Sequence, residues 1–162
     1  MRVLGVDYGA RRLGLALSDH TASLARPWRT IAAGSTPRAS AEIVAGIISA
    51  GATDELSDAD GIQNVVVGLP RRLNGEDTDQ TQPARDFATA LQDLSGLPVA
   101  MQDERLSSRE AESRLAIKEK DWRRRKEKLD AAAAAVILQD YLDAKRPAGP
   151  SDFDALSYRC AD

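Results

Sequence analysis

Near the start of the chain, an acidic residue stands inside an apolar strand–turn–strand pattern. Residues 2–8 and 13–18 carry runs of Val, Leu and Ala that are typical of strands in a sheet interior, and Gly9 between them predicts a tight turn. Asp7 ends the first run, where burying a carboxylate costs free energy unless the charge is paired or bound to a cation. Asp7 is therefore either a cap of the turn or a ligand.

The composition excludes several classes of protein and of metal site. A length of 162 residues is enough for one domain with a buried core, and the formal net charge of −3 argues against non-specific coating of nucleic acid. One cysteine, Cys160, and one histidine, His20, exclude an intrachain disulfide and disfavour a zinc site. With no membrane-spanning run and no secretory signal ahead of the first strand, we expect a cytoplasmic protein without a membrane partner.

The order of the predicted elements indicates a mixed α/β sheet. An early antiparallel hairpin is followed by two strands that each come after a helix, which favours right-handed parallel crossovers. We therefore expect five strands with helices on both faces, in a single domain over residues 1–144 with a C-terminal tail at 145–162. The predicted strands are 2–8, 13–18, 28–33, 64–70 and 97–102, and the predicted helices begin at Thr36-Pro37, before Ala84, at Ser107 and at Asp130.

Three acidic positions follow elements that can meet at one edge of this sheet. Asp7 ends the first strand, Asp103-Glu104 ends the last strand, and Asp130 begins a helix whose alanines at 131–135 would allow close approach to the sheet. Two carboxylates ~4 Å apart repel by about 4 kcal/mol at an effective dielectric constant of 20, and a divalent cation reverses that balance. Carboxylate ligands favour Mg²⁺ or Mn²⁺, so the pattern predicts a metal-dependent phosphoryl-transfer site.

Each acidic position also has an ordinary structural interpretation. Asp7 could cap its turn, Asp130 could be a helix N-cap, and Asp103-Glu104-Arg105 could be an exposed charged turn. The sequence leaves these alternatives open, because the convergence is inferred from the order of the elements.

Basic residues near the predicted site form two groups, and each has both a functional and a structural interpretation. The first group flanks the predicted mouth and would contact phosphates or simply solvate loops; it comprises Arg11, Arg12, Arg71, Arg72 and Arg105. The second group follows Trp122 and would clamp a single-stranded or branched nucleic acid or form a solvated helix face; it comprises Arg123, Arg124, Arg125 and Lys126.

Four blocks of the sequence, in order, resemble the YqgF family, which is also called RuvX. Together they extend over roughly residues 1–144, which makes the resemblance specific. The blocks are Gly5-Val-Asp7-Tyr-Gly9-Ala-Arg-Arg12-Leu-Gly14-Leu-Ala-Leu-Ser-Asp19, Val65-Val-Val-Gly68-Leu-Pro70 with Asn74-Gly75, Asp103-Glu104-Arg105-Leu-Ser-Ser108, and Leu129-Asp130 through Leu142.

The resemblance implies an RNase H-like fold and an acidic triad that holds Mg²⁺ or Mn²⁺. Carried over by position, the triad is Asp7, Glu104 and Asp130, with Asp103 as a neighbour that orients or assists. Arg71-Arg72 is more basic than the same place in many family members, which bears on substrate preference.

The resemblance also implies a nuclease that acts on phosphodiester bonds, as a monomer or homodimer. The expected role is trimming of the 5′ end of pre-16S ribosomal RNA, and resolution of Holliday junctions is the alternative. A ribosome-assembly factor that binds nucleic acid without cutting it is a second alternative. Asp-x-Gly after a strand also resembles the phosphate-binding turn of actin-like and sugar-kinase ATPases, but the chain is too short for their two lobes.

Overall fold

The structure, a computed structural model, describes residues 2–53, 61–71, 74–103 and 122–145, with the backbone alone for 122–129. The strands are β1 (Arg2–Tyr8), β2 (Arg12–Ser18), β3 (Ala25–Ala32), β4 (Ile62–Leu69) and β5 (Val99–Asp103). The helices in these ranges are α1 (Pro37–Thr53), α2 (Thr81–Ser95) and α3 (Trp122–Lys145).

The five strands form one mixed sheet in the order β3-β2-β1-β4-β5. β1, β2 and β3 are antiparallel neighbours, whereas β4 runs parallel to β1 and β5 runs parallel to β4. The continuous apolar runs of β1 and β4 place these strands in the centre, where both faces are covered. The predicted mixed five-stranded sheet is confirmed, and its arrangement is the RNase H-like fold that the family resemblance implies.

Helices cover both faces of the sheet, so the chain has a hydrophobic core on each side. On one face, α1 and α2 pack on Leu4, Val6 and their neighbours, with Phe87 fully buried between them. On the other face, α3 packs on Val3, Ala16 and neighbouring residues through Ala134, Ile137, Leu138 and Leu142. Side chains alternate along β1, so Val3, Gly5 and Asp7 point toward α3.

Small residues allow α3 to lie unusually close to β1 and β2. A Cβ atom on Gly5 would stand 2.8 Å from Cβ of Leu138 and 3.1 Å from the Ala134 carbonyl oxygen. A Cβ atom on Gly14 would overlap the Asp130 carbonyl group. The close approach expected from the alanines at 131–135 is therefore confirmed, and it also needs glycines on the sheet.

Several element boundaries differ from the sequence predictions. α3 begins at Trp122 and not at Asp130, because the basic turns before Asp130 lack the apolar period by which a helix is recognised. β3 begins at Ala25 and not at residue 28, because a strand at the sheet edge tolerates a proline such as Pro27. α1 runs to Thr53, although Gly51 within its last turn is a residue that commonly ends helices.

The start of α1 and the end of α2 are capped by residues that favour these positions. Thr36 caps α1, because its hydroxyl accepts a hydrogen bond from the Ala39 amide at 3.0 Å. Gly96 ends α2 in the left-handed conformation and donates its amide to the Gln92 carbonyl. The helix predicted from Ser107 and nearly all of the predicted tail lie outside the described residues. Among the helices that are described, none combines the length and apolar content needed to cross a membrane.

Candidate active site

Asp7 lies inside the central β1 strand and faces the helix α3. It pairs in register with Gly14 of the antiparallel strand β2. Opposed Cα atoms in such a pair are separated by about 4.5–5.5 Å. The strand continues to Tyr8 before the turn begins, so Asp7 belongs to the strand ladder and not to the turn.

Asp130 lies within α3, eight residues after the start of this helix, so it is not the N-cap that one interpretation of the sequence allowed. Its carbonyl group and the following amide of Ala131 rest on the backbone of Gly14. Gly14 thus has Asp7 beside it in the sheet and Asp130 above it in the helix. This arrangement brings the backbones of Asp7 and Asp130, two of the three acidic residues that the sequence selected, next to the same glycine.

Arg12 supplies a positive charge next to Asp130. It is the first residue of β2 and, by strand alternation, shares the face of Gly14. Its Nε atom lies 3.4 Å from Oδ2 of Asp130, and the two side chains are 29% and 28% exposed. The pair is therefore sheltered by the helix but not removed from solvent.

A cleft of about 420 Å³ opens where β1 turns into β2. Its volume is within the range of about 300–1,000 Å³ that is usual for ligand sites. Arg11 is exposed at this cleft, so the predicted phosphate contacts Arg11 and Arg12 both line it. The full lining is Tyr8, Gly9, Ala10, Arg11, Arg12, Pro70, Gln80 and Asp130.

Tyr8 lines this cleft and carries its phenol in the neutral form. Burial raises the pKa of Tyr8 above its ordinary value, and the negative charge of Asp86 raises it further. Its ring packs against Phe87 with a centroid separation of 5.1 Å. At neutral pH the hydroxyl therefore keeps its proton and can donate a hydrogen bond.

Thr81, the first residue of α2, joins the two segments that bring Pro70 and Gln80 to the cleft. The Thr81 hydroxyl donates to the Pro70 carbonyl oxygen at 2.5 Å and accepts from the Thr78 amide at 2.8 Å. Thr81 is almost fully buried, so both bonds are sheltered from water. This bridge fixes the exit of β4 relative to Gln80 and so sets the width of the cleft.

The third predicted carboxylate, Glu104, lies outside the described residues. Asp103 is described and pairs with Leu69 on the sheet face that packs against α1 and α2, opposite to Asp7. Within the described ranges no group of three His, Cys, Asp or Glu side chains forms a metal site.

The other predicted basic residues are placed only in part. Arg71 follows Pro70, and its Nε atom lies 3.7 Å from Oδ1 of Asp77. The other carboxylate oxygen of Asp77, Oδ2, lies 3.3 Å from Nη1 of Arg85. Arg72 and Arg105 lie outside the described residues. The backbone of α3 carries the second basic group in its first turns, N-terminal to Asp130, and the members are Arg123, Arg124, Arg125 and Lys126.

Sequence reasoning missed Gly14, Tyr8 and Gln80 as parts of the site. Gly14 had a usable signal, since a glycine inside an otherwise bulky apolar strand often marks a close approach by another backbone. Tyr8 and Gln80 had none, because their place at the cleft depends on how β1 and α2 are packed.

Relatives of this chain carry a name that states both an activity and a substrate. A protein of Anaeromyxobacter dehalogenans strain 2CP-1, named as a candidate pre-16S rRNA nuclease, is 42% identical over 147 residues, covering 91% of this chain and 100% of the relative. A protein of Chloroflexus aggregans with the same name is 41% identical over 144 residues, covering 89% and 94%.

Among solved structures, Thermus thermophilus RuvC in complex with a Holliday junction substrate aligns with 90% of this chain and 96% of its own, at 20% identity and a TM-score of 0.48. The family model described as "RuvX: Holliday junction resolvase" matches residues 1–144. With this match and relatives above 40% identity along nearly all of their length, the chain belongs to the RuvX family.

Proposed function

We propose that this protein is a metal-dependent nuclease that hydrolyses phosphodiester bonds. The observation that carries the proposal is the position of Asp7 and Asp130 on either side of Gly14, beside a cleft lined by two arginines. Carboxylates that lie close together repel one another, and a bound divalent cation would reverse that balance.

The donor chemistry of the site fits a hard divalent cation. Asp7 and Asp130 offer carboxylate oxygens, which are the protein ligands that Mg²⁺ and Mn²⁺ prefer. We propose Glu104 as the third ligand, because it directly follows β5 in the sequence and Asp103 lies on the wrong face of the sheet. A cation held there would stabilise negative charge on the phosphate and activate water.

The remaining residues have roles that follow from their place at the cleft. Arg11 and Arg12 contact the phosphate backbone and position the scissile bond between the carboxylates. The neutral Tyr8 hydroxyl donates a hydrogen bond to a sugar or phosphate oxygen of the substrate. Gly14 keeps the strand and helix close enough for Asp7 and Asp130 to act on the same atom.

The basic start of α3 extends this surface away from the cleft. Arg123 precedes Asp130 by seven residues, and seven residues of helix span about 10.5 Å at 1.5 Å per residue. We propose that Arg123, Arg124, Arg125 and Lys126, together with Arg71, Arg72 and Arg105, contact phosphates on the flanking substrate. The segment would then bind nucleic acid next to the site of cleavage.

We propose precursor 16S ribosomal RNA as the substrate, cut near its 5′ end in the cytoplasm by a monomer or homodimer. The names of the relatives, which align along nearly their whole length, support this choice. The family description favours a second candidate, resolution of Holliday junctions, which needs a symmetric dimer to cut paired strands. The proposed unit is one nuclease domain over residues 1–144 with a tail at 145–162.

A side-by-side cleavage assay tests these proposals. The purified chain is incubated with precursor 16S rRNA, unrelated single-stranded RNA or a four-way DNA junction, with Mn²⁺, with Mg²⁺ or with EDTA. We expect cleavage of the precursor rRNA that needs the metal and falls at least a hundredfold in folded Asp7→Asn protein, a loss on the scale of removing a group that stabilises the transition state. Faster cleavage of the junction would select the resolvase instead.

Two further results would contradict, respectively, the assignment of Asp7 and the nuclease activity itself. Cleavage that persists at full rate in Asp7→Asn would remove Asp7 from the site. Tight binding of precursor rRNA without any metal-dependent cleavage would instead identify an assembly factor that binds RNA and does not cut it.

A further inference from the structure

The ion pair between Arg12 and Asp130 stands at the place where a divalent cation would have to bind. Arg12 Nε is 3.4 Å from Oδ2 of Asp130, the same carboxylate that the proposed function assigns to the metal. The strand ladder fixes the backbone of Arg12, which pairs with Ala32, and the Ala33 amide donates to the Arg11 carbonyl oxygen at 2.9 Å. Only the side chain of Arg12 is free to change partner.

Arg12 places a positive charge 3.4 Å from the carboxylate of Asp130, on the sheet face that it shares with Gly14. In the absence of metal this charge offsets the repulsion between Asp7 and Asp130. When a divalent cation is bound, Arg12 and the cation repel each other and compete for the same carboxylate.

We propose that Arg12 is a positioning residue that holds Asp130 in the metal-free protein and gives it up to the divalent cation. Once displaced, the guanidinium is available to the phosphate of the substrate in the same cleft. Arg12 therefore lowers the affinity for free metal and links metal binding to substrate binding. This inference rests on the proposed function, since it takes Asp130 as a metal ligand.

A titration with Mn²⁺ alone tests the competition without any cleavage reaction. Free Mn²⁺ is followed by its electron paramagnetic resonance signal during addition to the full chain. Removing a positive charge next to a divalent site should tighten binding, so we expect Arg12→Gln to lower the Kd roughly tenfold. Arg12→Lys keeps the charge and should stay within about threefold of the wild type.

Arg11→Gln is the matched control, because Arg11 lines the same cleft with an exposed side chain. Its charge is better screened by water, so we expect a change in Kd of less than about threefold. Unchanged or weaker Mn²⁺ binding by Arg12→Gln would overturn the inference, as would equal tightening by Arg11→Gln.

Thermal unfolding supplies the second readout. The Arg12–Asp130 pair exists only without metal, so Arg12→Gln should lower Tm in EDTA and have a smaller effect in saturating Mn²⁺. An equal loss of Tm in both conditions would indicate a general packing role and overturn the inference.

Asp7→Asn distinguishes a failure of the proposed metal site from a failure of the competition by Arg12. If wild type and Asp7→Asn bind Mn²⁺ equally, the proposed metal site itself is wrong; if only Arg12→Gln has no effect, the site stands and the competition fails.

Discussion

Gly14 of β2 lies against the peptide bond that joins Asp130 to Ala131, so closely that no side chain fits between strand and helix. The same glycine is the ladder partner of Asp7. One residue without chemistry of its own therefore sets how closely the backbones of two acidic residues from distant parts of the sequence approach each other.

Replacing Gly14 with Ala should move α3 away from the sheet. The added methyl group would overlap backbone atoms, which cannot rotate away, so we expect a loss of about 1–3 kcal/mol in the free energy of unfolding. Because the displacement is centred on Asp130, Mn²⁺ affinity should fall as well. Chemical denaturation and metal titration of the same samples measure both effects.

Two other glycines serve as controls for this variant. Gly5→Ala also presses on α3, but at Ala134 and Leu138, so it should reduce stability with less effect on metal binding. Gly46→Ala lies in α1 with nothing within 4 Å of the new Cβ, and it should stabilise the protein by up to about 1 kcal/mol. Equal metal affinity in Gly14→Ala and Gly5→Ala would show that Gly14 does not position Asp130.

Replacing Asp7 with Asn should separate stability from metal binding. In EDTA the variant should be at least as stable as the wild type, since one of two neighbouring negative charges is gone. Metal at a hundred times its Kd stabilises a protein by about 2.7 kcal/mol, and most of that gain should vanish in Asp7→Asn. Calorimetry in EDTA and in Mn²⁺ gives both values. A full Mn²⁺-dependent gain in the variant would contradict the assignment of Asp7.

Gln139 ties α3 to the connection between β2 and β3. Its side-chain oxygen accepts from the Ala25 amide at 2.8 Å, and its nitrogen donates to the Ser23 carbonyl oxygen at 3.1 Å. Gln139→Ala would leave both partly buried groups without this partner, so we expect a loss of about 1–3 kcal/mol in urea unfolding. Asp143→Ala removes only the exposed contact to Gln139 and should cost less than about 0.5 kcal/mol. Similarly small losses of unfolding free energy in both variants would show that the Gln139 hydrogen bonds do not stabilise the packing of α3 on this connection.

Asp19 should make stability depend on acid. Hydrogen bonds from the Ser23 amide first, then from the Thr21 hydroxyl and the Leu24 amide, lower the pKa of Asp19 below its ordinary value of 3.8. A lowered folded-state pKa contributes stability that is present above the unfolded-state value and is lost as pH falls through the folded-state value. Asp19→Asn should therefore lower Tm at pH 7, and the difference from the wild type should shrink below pH 3.8.

Asp93→Asn is the matched control for Asp19, because it removes the same charge from an exposed helix position. The difference in Tm between Asp93→Asn and the wild type should be small both at pH 7 and below pH 3.8. A constant gap for Asp19→Asn across the acid range would show that its hydrogen bonds do not favour the ionised form.

Strands and helices with strong patterns were predictable because burial alone dictates their residues. The apolar runs of β1 and β4 and the stripe around Phe87 in α2 could have few other structures. The start of α3 could not be predicted, since its basic residues satisfy neither a helix nor a loop pattern. Ile43 and Leu94 belong by their spacing to the apolar stripes of α1 and α2 but are 41% and 39% exposed, because each stripe is wider than the surface it covers.

The nearness of Asp7 and Asp130 in the fold was predictable from the order of the elements, whereas their contacts were not. A carboxylate in an apolar strand, as at Asp7, draws attention because burying its charge is costly. The pairing of Arg12 with Asp130 depends on the register of β2 against β1 and on the depth at which α3 sits on Gly14. Such registers arise from packing over the whole sheet, so local sequence does not contain them.

The edge position of β3 has a consequence for how copies of this chain can associate. Pro27 removes a backbone donor from that edge, and the bulge between Leu15 and Ala16 interrupts the ladder beside it. Arg26 and Arg29 add exposed positive charge, with the guanidinium of Arg29 lying 4.0 Å over the ring of Trp28. These features discourage strand addition and protect the sheet from edge-to-edge aggregation. These features argue against a homodimer of this protein in which two sheets join at β3 into one.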